Sequence, residues 1–388
     1  MRRLREESIQ LSDIEKAWID EKEGKVVLFR PHIPRNAKKF VNEVLETRWI
    51  GQGPRVDEFE SRFKDLIGAS AGVAVGSGTD ALHLGFLLAG IGEGDEVITP
   101  VFTCTATNIP LLYLGAKPIF ADIQRNTMNL NPNDIEHRIT EKTKAICCVH
   151  YGGLPCDMDE INAIAQKYNL LVIEDAAHAV GATYKNLKVG QISDFTMFSF
   201  QAVKHITTGD GGYLAVKNQD LVEKAKRLRW FGIDRQAKSR GIWENDIKEI
   251  GYKYQMTDIS AALGIAALDE WVETSDYRKL LFRRYCKNLI DCKDVKVVGE
   301  NIADREHAAW LITILIDEPE ALQKKLMMNG IESNQVHFRN DRYSLFGTRR
   351  EDLPVMDDLE NKYLVLPIHT YMNIEDVDRI CDVIKSGW

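Results

Sequence analysis

The sequence predicts an α/β protein: a largely parallel β-sheet flanked by helices, followed by a smaller α+β unit. Three observations predict it. Seven short β-rich runs alternate with amphipathic segments through the middle of the chain, the pattern of strand–helix–strand units sharing one sheet. At 388 residues the chain is too long for a single core, because cores stop growing at roughly 250–300 residues. After Leu268 the texture changes to charged helical stretches separated by isolated strands.

Residues 1–27 are charged and helical-looking, and are expected as an extension packed on the surface or on a partner subunit. The larger domain is expected over 28–276. Its strands are Gly72–Val75, Glu96–Thr99, Pro118–Ala121, Ala145–Val149, Leu170–Glu174, Phe195–Phe200 and Tyr213–Val216. Asp80–Leu88 and Met158–Tyr168 supply helices between them, and Met256–Leu268 reads as a long helix. The smaller domain is expected over 277–388, with helices at Arg278–Leu289 and Ile374–Ile384 and strands at Val295–Val298 and Ala309–Ile316. Ligands of parallel sheets collect at the carboxyl ends of the strands.

The charge balance, 50 basic against 58 acidic residues for a net −8, has no long basic block and argues against nucleic acid as a partner. No apolar run has the length of a signal peptide or a membrane span. A soluble cytoplasmic protein is expected. The seven cysteines include no CxxC pair, so neither disulfides nor a metal site is expected.

Three segments carry candidate chemistry. In the first, Val75-Gly76-Ser77-Gly78-Thr79-Asp80-Ala81 joins a strand to a helix through a glycine turn. Backbone N–H groups at such a helix start attract an anion, and Thr79 adds a hydroxyl. A dinucleotide fingerprint also fits Gly76-x-Gly78-x-x-Ala81, but it needs an acid closing the next strand. Here Glu93, Asp95 and Glu96 precede or open that strand, so a single phosphate monoester fits better. A plain strand–helix turn is the bland alternative.

The second segment, Leu170 to His178, delivers Asp175 to a strand end ahead of two alanines that leave room for a flat ring. A carboxylate there can pair with the protonated pyridine nitrogen of pyridoxal phosphate (PLP). Glu174 is the alternative acid, and an aspartate at a strand end is often only a helix cap. His178 either contacts a ring oxygen or caps a helix. In the third, Ser199 ends an apolar run and Lys204 follows five residues later. The serine suits a phosphate and the lysine suits the cofactor aldehyde, which it would hold as a Schiff base. Phosphate cradle, pyridine partner and amine are the parts a PLP site requires.

Further motifs extend the pattern: Arg48 to Pro54 with Phe59-Glu60, Gly94-Asp95-Glu96-Val97 into Thr99-Pro100, His150-Tyr151-Gly152-Gly153, Gly209-Asp210-Gly211-Gly212 and Leu366-Pro367. With these the chain resembles, from about Phe29 onward, the sugar aminotransferases of the DegT/DnrJ/StrS family. The resemblance implies the PLP-dependent transferase fold of type I. It implies ping-pong transfer of an amino group, from a donor such as glutamate, to a keto sugar on a nucleotide. Lys204, Asp175 and His178 would be catalytic. Gly78, Thr79 and Ser199 would hold the cofactor phosphate. Related dehydratases carry histidine in place of the lysine; this chain has Lys204, with His205 beside it. A smaller phosphorylated ketone as acceptor, the dehydratase reaction and a sugar-binding regulator are the alternative readings.

Two positions depart from the family pattern. Cys104 stands where relatives stack an aromatic ring on the pyridine, and is either close to the cofactor or a packed small side chain. Lys253 stands where relatives carry an asparagine that reaches the phosphate from the partner subunit. A lysine could do this as a point charge, which implies a homodimer with shared active sites. The cation-rich segment His337 to Tyr343 suits a phosphate or diphosphate, or is a solvated connection. Trp230, Phe231 and Trp243 border the same pocket or simply pack.

Overall fold

The computed structural model describes residues 24–235, 237, 240–242 and 246–388. Residues 1–23 of the expected extension, and Trp243, lie outside the described residues. Helices α1 (Ala37–Thr47) and α2 (Pro54–Ile67) precede the first strand. Proline in the first turn and Gly68, left-handed at φ 67°, bound α2 at its two ends. Its buried face is Val56, Phe59, Phe63 and Ile67, at helical spacing. Phe59 and Phe63 pack edge-on against Phe200, and Phe63 also against Phe198 and Tyr213. Each phenylalanine so buried stabilises the fold by about 1.5–3 kcal/mol.

The main sheet follows: β1 (Ala71–Val75), α3 (Gly78–Leu88), β2 (Glu96–Pro100), β3 (Phe102–Thr103), α4 (Thr105–Tyr113), β4 (Lys117–Ala121), β5 (Thr143–Val149), α5 (Met158–Tyr168), β6 (Leu171–Asp175), β7 (Thr183–Tyr184), β8 (Leu187–Lys188), β9 (Phe195–Ser199) and β10 (Gly212–Val216). Seven of these strands align as β1-β10-β9-β6-β5-β2-β4. β9, β6, β5, β2 and β4 pair in parallel, and β10 runs antiparallel to both of its neighbours. Helices cover both faces, which is why β9 and β10 are buried at every position. The seven expected strands are these seven, with ends shifted by one or two residues.

After α6 (Val222–Leu228) and α7 (Asp258–Asp269), helix α8 (Trp271–Leu289) leads out of the main sheet. The expected division at 276/277 falls inside α8. Then come β11 (Lys296–Val297), β12 (Arg305–Glu306), β13 (Ile312–Leu315), α9 (Pro319–Met328), β14 (Phe338–Arg339), α10 (Pro354–Leu359), β15 (Tyr363–Leu366) and α11 (Ile374–Lys385). β11, β13 and β15 form an antiparallel sheet whose core is shared with α8, α9 and α11. A reciprocal cap between Asn373 and Asp376 starts α11.

Two short ribbons tie this second sheet unit to the first. β12 pairs with β7, and β14 pairs with β3, where Phe338 faces Thr103. The expected strand Ala309–Ile316 starts later, at Ile312. Ala309 is left-handed at φ 60°, and the N–H groups of Trp310 and Leu311 both bond to Gly152 O at 3.0 Å. The backbone is therefore turned at the position where Trp310 reaches the main sheet.

Candidate active site

The carboxyl ends of β6 and β9 and the start of α3 open onto one cavity of about 370 Å³. Gly78, Thr79, Cys104, Asp175, His178, Ser199 and Lys204 all line it. Lys253 does not. It is exposed, its ammonium 4.4 Å from the centre of the Trp230 ring.

Asp175 ends β6 almost fully buried. Burial pushes its carboxyl above the usual carboxylate range, while Thr107, the Ala177 N–H and the Lys204 charge pull the other way. Thr107 Oγ1 donates to Oδ2 at 2.7 Å, and the Ala177 N–H donates to Oδ1 at 3.1 Å. Thr103, at the end of β3, in turn donates to Thr107 at 2.8 Å, so the hydroxyl that meets the carboxylate is itself held in place. No helix follows β6: Ala176 to Val180 are turns. Asp175 is therefore not a helix cap, and neither is His178.

Glu174 points the other way and is fully buried. It accepts from the Ser193 N–H at 3.1 Å and Thr196 Oγ1 at 3.0 Å, and lies 2.7 Å from His150 Nε2. The alternative acid of the sequence is structural. Cys148, His150 and Cys156 also gather beneath the strand, ligand atoms within 4.8 Å of one another. Each is already bonded within the protein: Cys148 to Met158, Cys156 to Val149 O, and His150 to Glu174 and the Cys156 N–H.

Helix α3 begins against Ser199. A methyl group on Gly78 would sit 2.9 Å from Ser199 Cβ, so only glycine lets the helix start approach β9 this closely. Ser77 caps the helix by accepting from the Asp80 N–H at 3.0 Å. Gly78, Thr79 and Ser199 line the cavity beside this helix start, whose first N–H groups have no partner within the helix, a ready anion cradle.

Lys204 is half-buried, its ammonium 3.6 Å from the centre of the Trp310 ring. Burial lowers its pKa to about 8, against the opposing pull of Cys104 and Asp175. His178 stacks on Trp310 at 3.8 Å and lies parallel to His337, with the two Nε2 atoms 3.4 Å apart. Its Nδ1 is buried without a protein partner. His205 turns away and bonds Ala308 O at 2.8 Å. The cation-rich segment divides: Arg339 is fully buried on Asp341 at 2.6 and 2.7 Å, while Arg342 is exposed.

Residues 31–385 match the DegT/DnrJ/EryC1/StrS aminotransferase family. The chain belongs to that family. It is 35% identical over 372 residues to the spore coat polysaccharide biosynthesis protein SpsC of Bacillus subtilis (92% of this chain, 95% of that protein). It is also 35% identical over 365 residues to the GDP-perosamine synthase of Escherichia coli O157:H7 (93% and 98%). Spr1654 of Streptococcus pneumoniae superimposes with a TM-score of 0.88 in its PMP form (30% identity) and its PLP form (29%), covering 93% of this chain and 98% of that one. A member of the DegT/DnrJ/EryC1/StrS family, this protein is a PLP-dependent sugar aminotransferase with the fold of the structures it matches. Its residues fit the cofactor: an anion cradle that a Gly78 side chain would fill, a buried carboxylate, an orphaned imidazole nitrogen and a half-buried amine.

Sequence reasoning missed Phe29, Thr107 and Trp310 as site residues. Thr107 is marked only by its four-residue separation from Thr103, which does not point to a partner on β6. Phe29 and Trp310 carry no such signal, since both arrive from outside the main sheet. Among the described residues no helix is long and apolar enough to cross a membrane.

Proposed function

We propose that this aminotransferase moves an amino group from glutamate to a keto sugar carried on a nucleotide. The observation that carries the reading is the convergence of Lys204, Asp175 and the Gly78–Thr79–Ser199 cradle on one cavity. The name of the GDP-perosamine synthase relative supports a nucleotide-linked acceptor.

Pyridoxal phosphate, when bound, supplies an aldehyde that captures amines and a ring that delocalises the electron pair left by proton removal. The chain's own groups do the rest. The α3 N–H groups with Thr79 and Ser199 grip the phosphate and fix the ring's position. Asp175 would hold a proton on the ring nitrogen, and the bonds from Thr107 and the Ala177 N–H favour the ionised carboxylate that this needs. His178, whose Nδ1 is buried without a protein partner on the cavity wall, would be free to contact the ring oxygen. Lys204 Nζ would be the amine that engages the aldehyde and the base that moves the donor's α-proton. Phe29, Leu82, Val149, Met197 and Trp310 give the cavity apolar walls that limit water. His205, bonded away from the cavity, offers no substitute for the lysine, which favours transamination over dehydration.

Lys253 acts in the partner's site of a homodimer. Exposed Phe231, Ile247 and Ile250 lie on the surface that carries it, which suits burial against a second copy.

The test follows colour. Glutamate should convert the yellow holoprotein to the pyridoxamine form, and a nucleotide-linked keto sugar should restore it; restoration only by small phosphorylated ketones would overturn the acceptor. Lys204→Ala should retain the cofactor and lose turnover by at least about 10²–10⁴-fold.

A further inference from the structure

Trp310 belongs to the second sheet unit, yet its indole touches the chain on both sides of the Lys204 backbone–side-chain junction. Its face lies 3.6 Å from Lys204 Nζ, and its Nε1–H donates to Val203 O at 3.1 Å. The ring system is also packed by other rings. Phe29 stacks against it at 5.8 Å between centroids and His178 at 3.8 Å. The indole is buried, 3% exposed, so it cannot swing away from the lysine.

We infer that Trp310 is a positioning residue for Lys204: a cation–π rest for the free amine, with a hydrogen bond that fixes the peptide before it. This inference rests on Lys204 being the residue that engages the cofactor. The amine must leave the aldehyde carbon when the donor arrives and return when the product departs. An unpaired ammonium in an apolar cavity would otherwise pay its full desolvation cost or wander to the nearest carboxylate. The ring face gives it a defined place between those visits, attractive to the charged form without a counter-charge that would trap it.

The charges facing Lys204 agree with this. Asp175 on β6 and Cys104 at the start of α4 favour its ammonium. His205, next in the chain, is turned away and held below the usual histidine range by burial and the Arg278 charge. His178 and His337 face Lys204 from two other segments, and burial followed by neighbouring positive charge holds both well below that range. They are neutral, so they neither repel the ammonium nor compete with the ring for it.

The test uses the full-length, cofactor-free protein, with far-UV circular dichroism and thermal unfolding to establish that each variant is folded. Competitive acetylation of Lys204 across pH, read by peptide mass spectrometry, gives the midpoint at which its amine becomes reactive. Trp310→Leu keeps apolar volume and removes the π face. It should move the midpoint down by about 0.4–1.5 pH units, the worth of a cation–π contact. Trp310→Phe keeps a ring and should fall between Leu and the unaltered protein. A midpoint that is unchanged or rises in a folded Trp310→Leu variant overturns the inference, because burial alone would then account for Lys204. Failure of Lys204→Ala to lose turnover would instead refute the role of Lys204 and leave this midpoint as it was.

Discussion

A carboxylate buried in an apolar cavity stays ionised only if donors meet its oxygens, and Asp175 depends on two of them. Of these the Thr107 hydroxyl is the one a substitution can remove. Thr107→Val keeps the shape and deletes a bond to a charged group, worth about 1.5–3 kcal/mol. The Asp175 carboxyl, already raised by burial, should then rise by about one to two further pH units. Because the protonated acid cannot hold the ring nitrogen's proton, activity is lost as pH falls through this value. The acid limb of the pH profile for the glutamate half-reaction should therefore move upward in Thr107→Val, with the rate at high pH nearly kept. An acid limb that does not move would remove Asp175 from the role. Asp175 itself was legible from its neighbours in sequence, since an apolar run followed by Asp-Ala-Ala is a local pattern. Thr107 was not, because it sits on α4 and its partner on β6, 68 residues on in the chain.

At the level of elements, β6 is the part that must not shift, since it carries Asp175 on one side and Glu174 on the other. Glu174 pins it to both neighbours: to β5 through His150, and to β9 through Thr196 and the preceding Ser193 N–H. Glu174→Ala leaves those buried donors without an acceptor, and removing one partner of a buried pair typically costs about 3–5 kcal/mol. Urea unfolding monitored by far-UV circular dichroism should show that loss; a cost below about 1 kcal/mol would mean the strand is held by its ladder alone. The strands themselves could be read from sequence because both faces are buried and the runs are short, apolar and bounded by turns. Trp310 could not. It sits in an apolar run that reads as a strand from Ala309, and the left-handed backbone at Ala309 that aims it at the cavity has no marker such as glycine. The β3–β14 ribbon likewise joins segments far apart in the chain, and no periodicity encodes which short strands will meet.

On the scale of the whole molecule, the cavity is assembled from both sheet units, and Lys253 decides whether it also needs a second chain. In this chain its ammonium rests over Trp230, outside the lining of its own cavity. If Lys253 serves the partner's phosphate, Lys204→Ala and Lys253→Ala damage the two sites of a hybrid dimer unequally. One site receives both lesions and the other receives neither. Random pairing of the two variants makes half the dimers hybrids, each with one intact site, so co-expression should restore about a quarter of normal activity. If Lys253 acts within its own chain, every hybrid site carries a lesion and no activity returns above the mean of the parents. Sedimentation of the mixture reports whether dimers form, and separately tagged chains isolate the hybrids. Dimers that reassort freely without regaining activity would place Lys253 in its own chain's site, whereas a Lys253→Ala parent with full activity would place it outside the catalytic assembly and leave the exposed Phe231, Ile247 and Ile250 surface with a purely adhesive role.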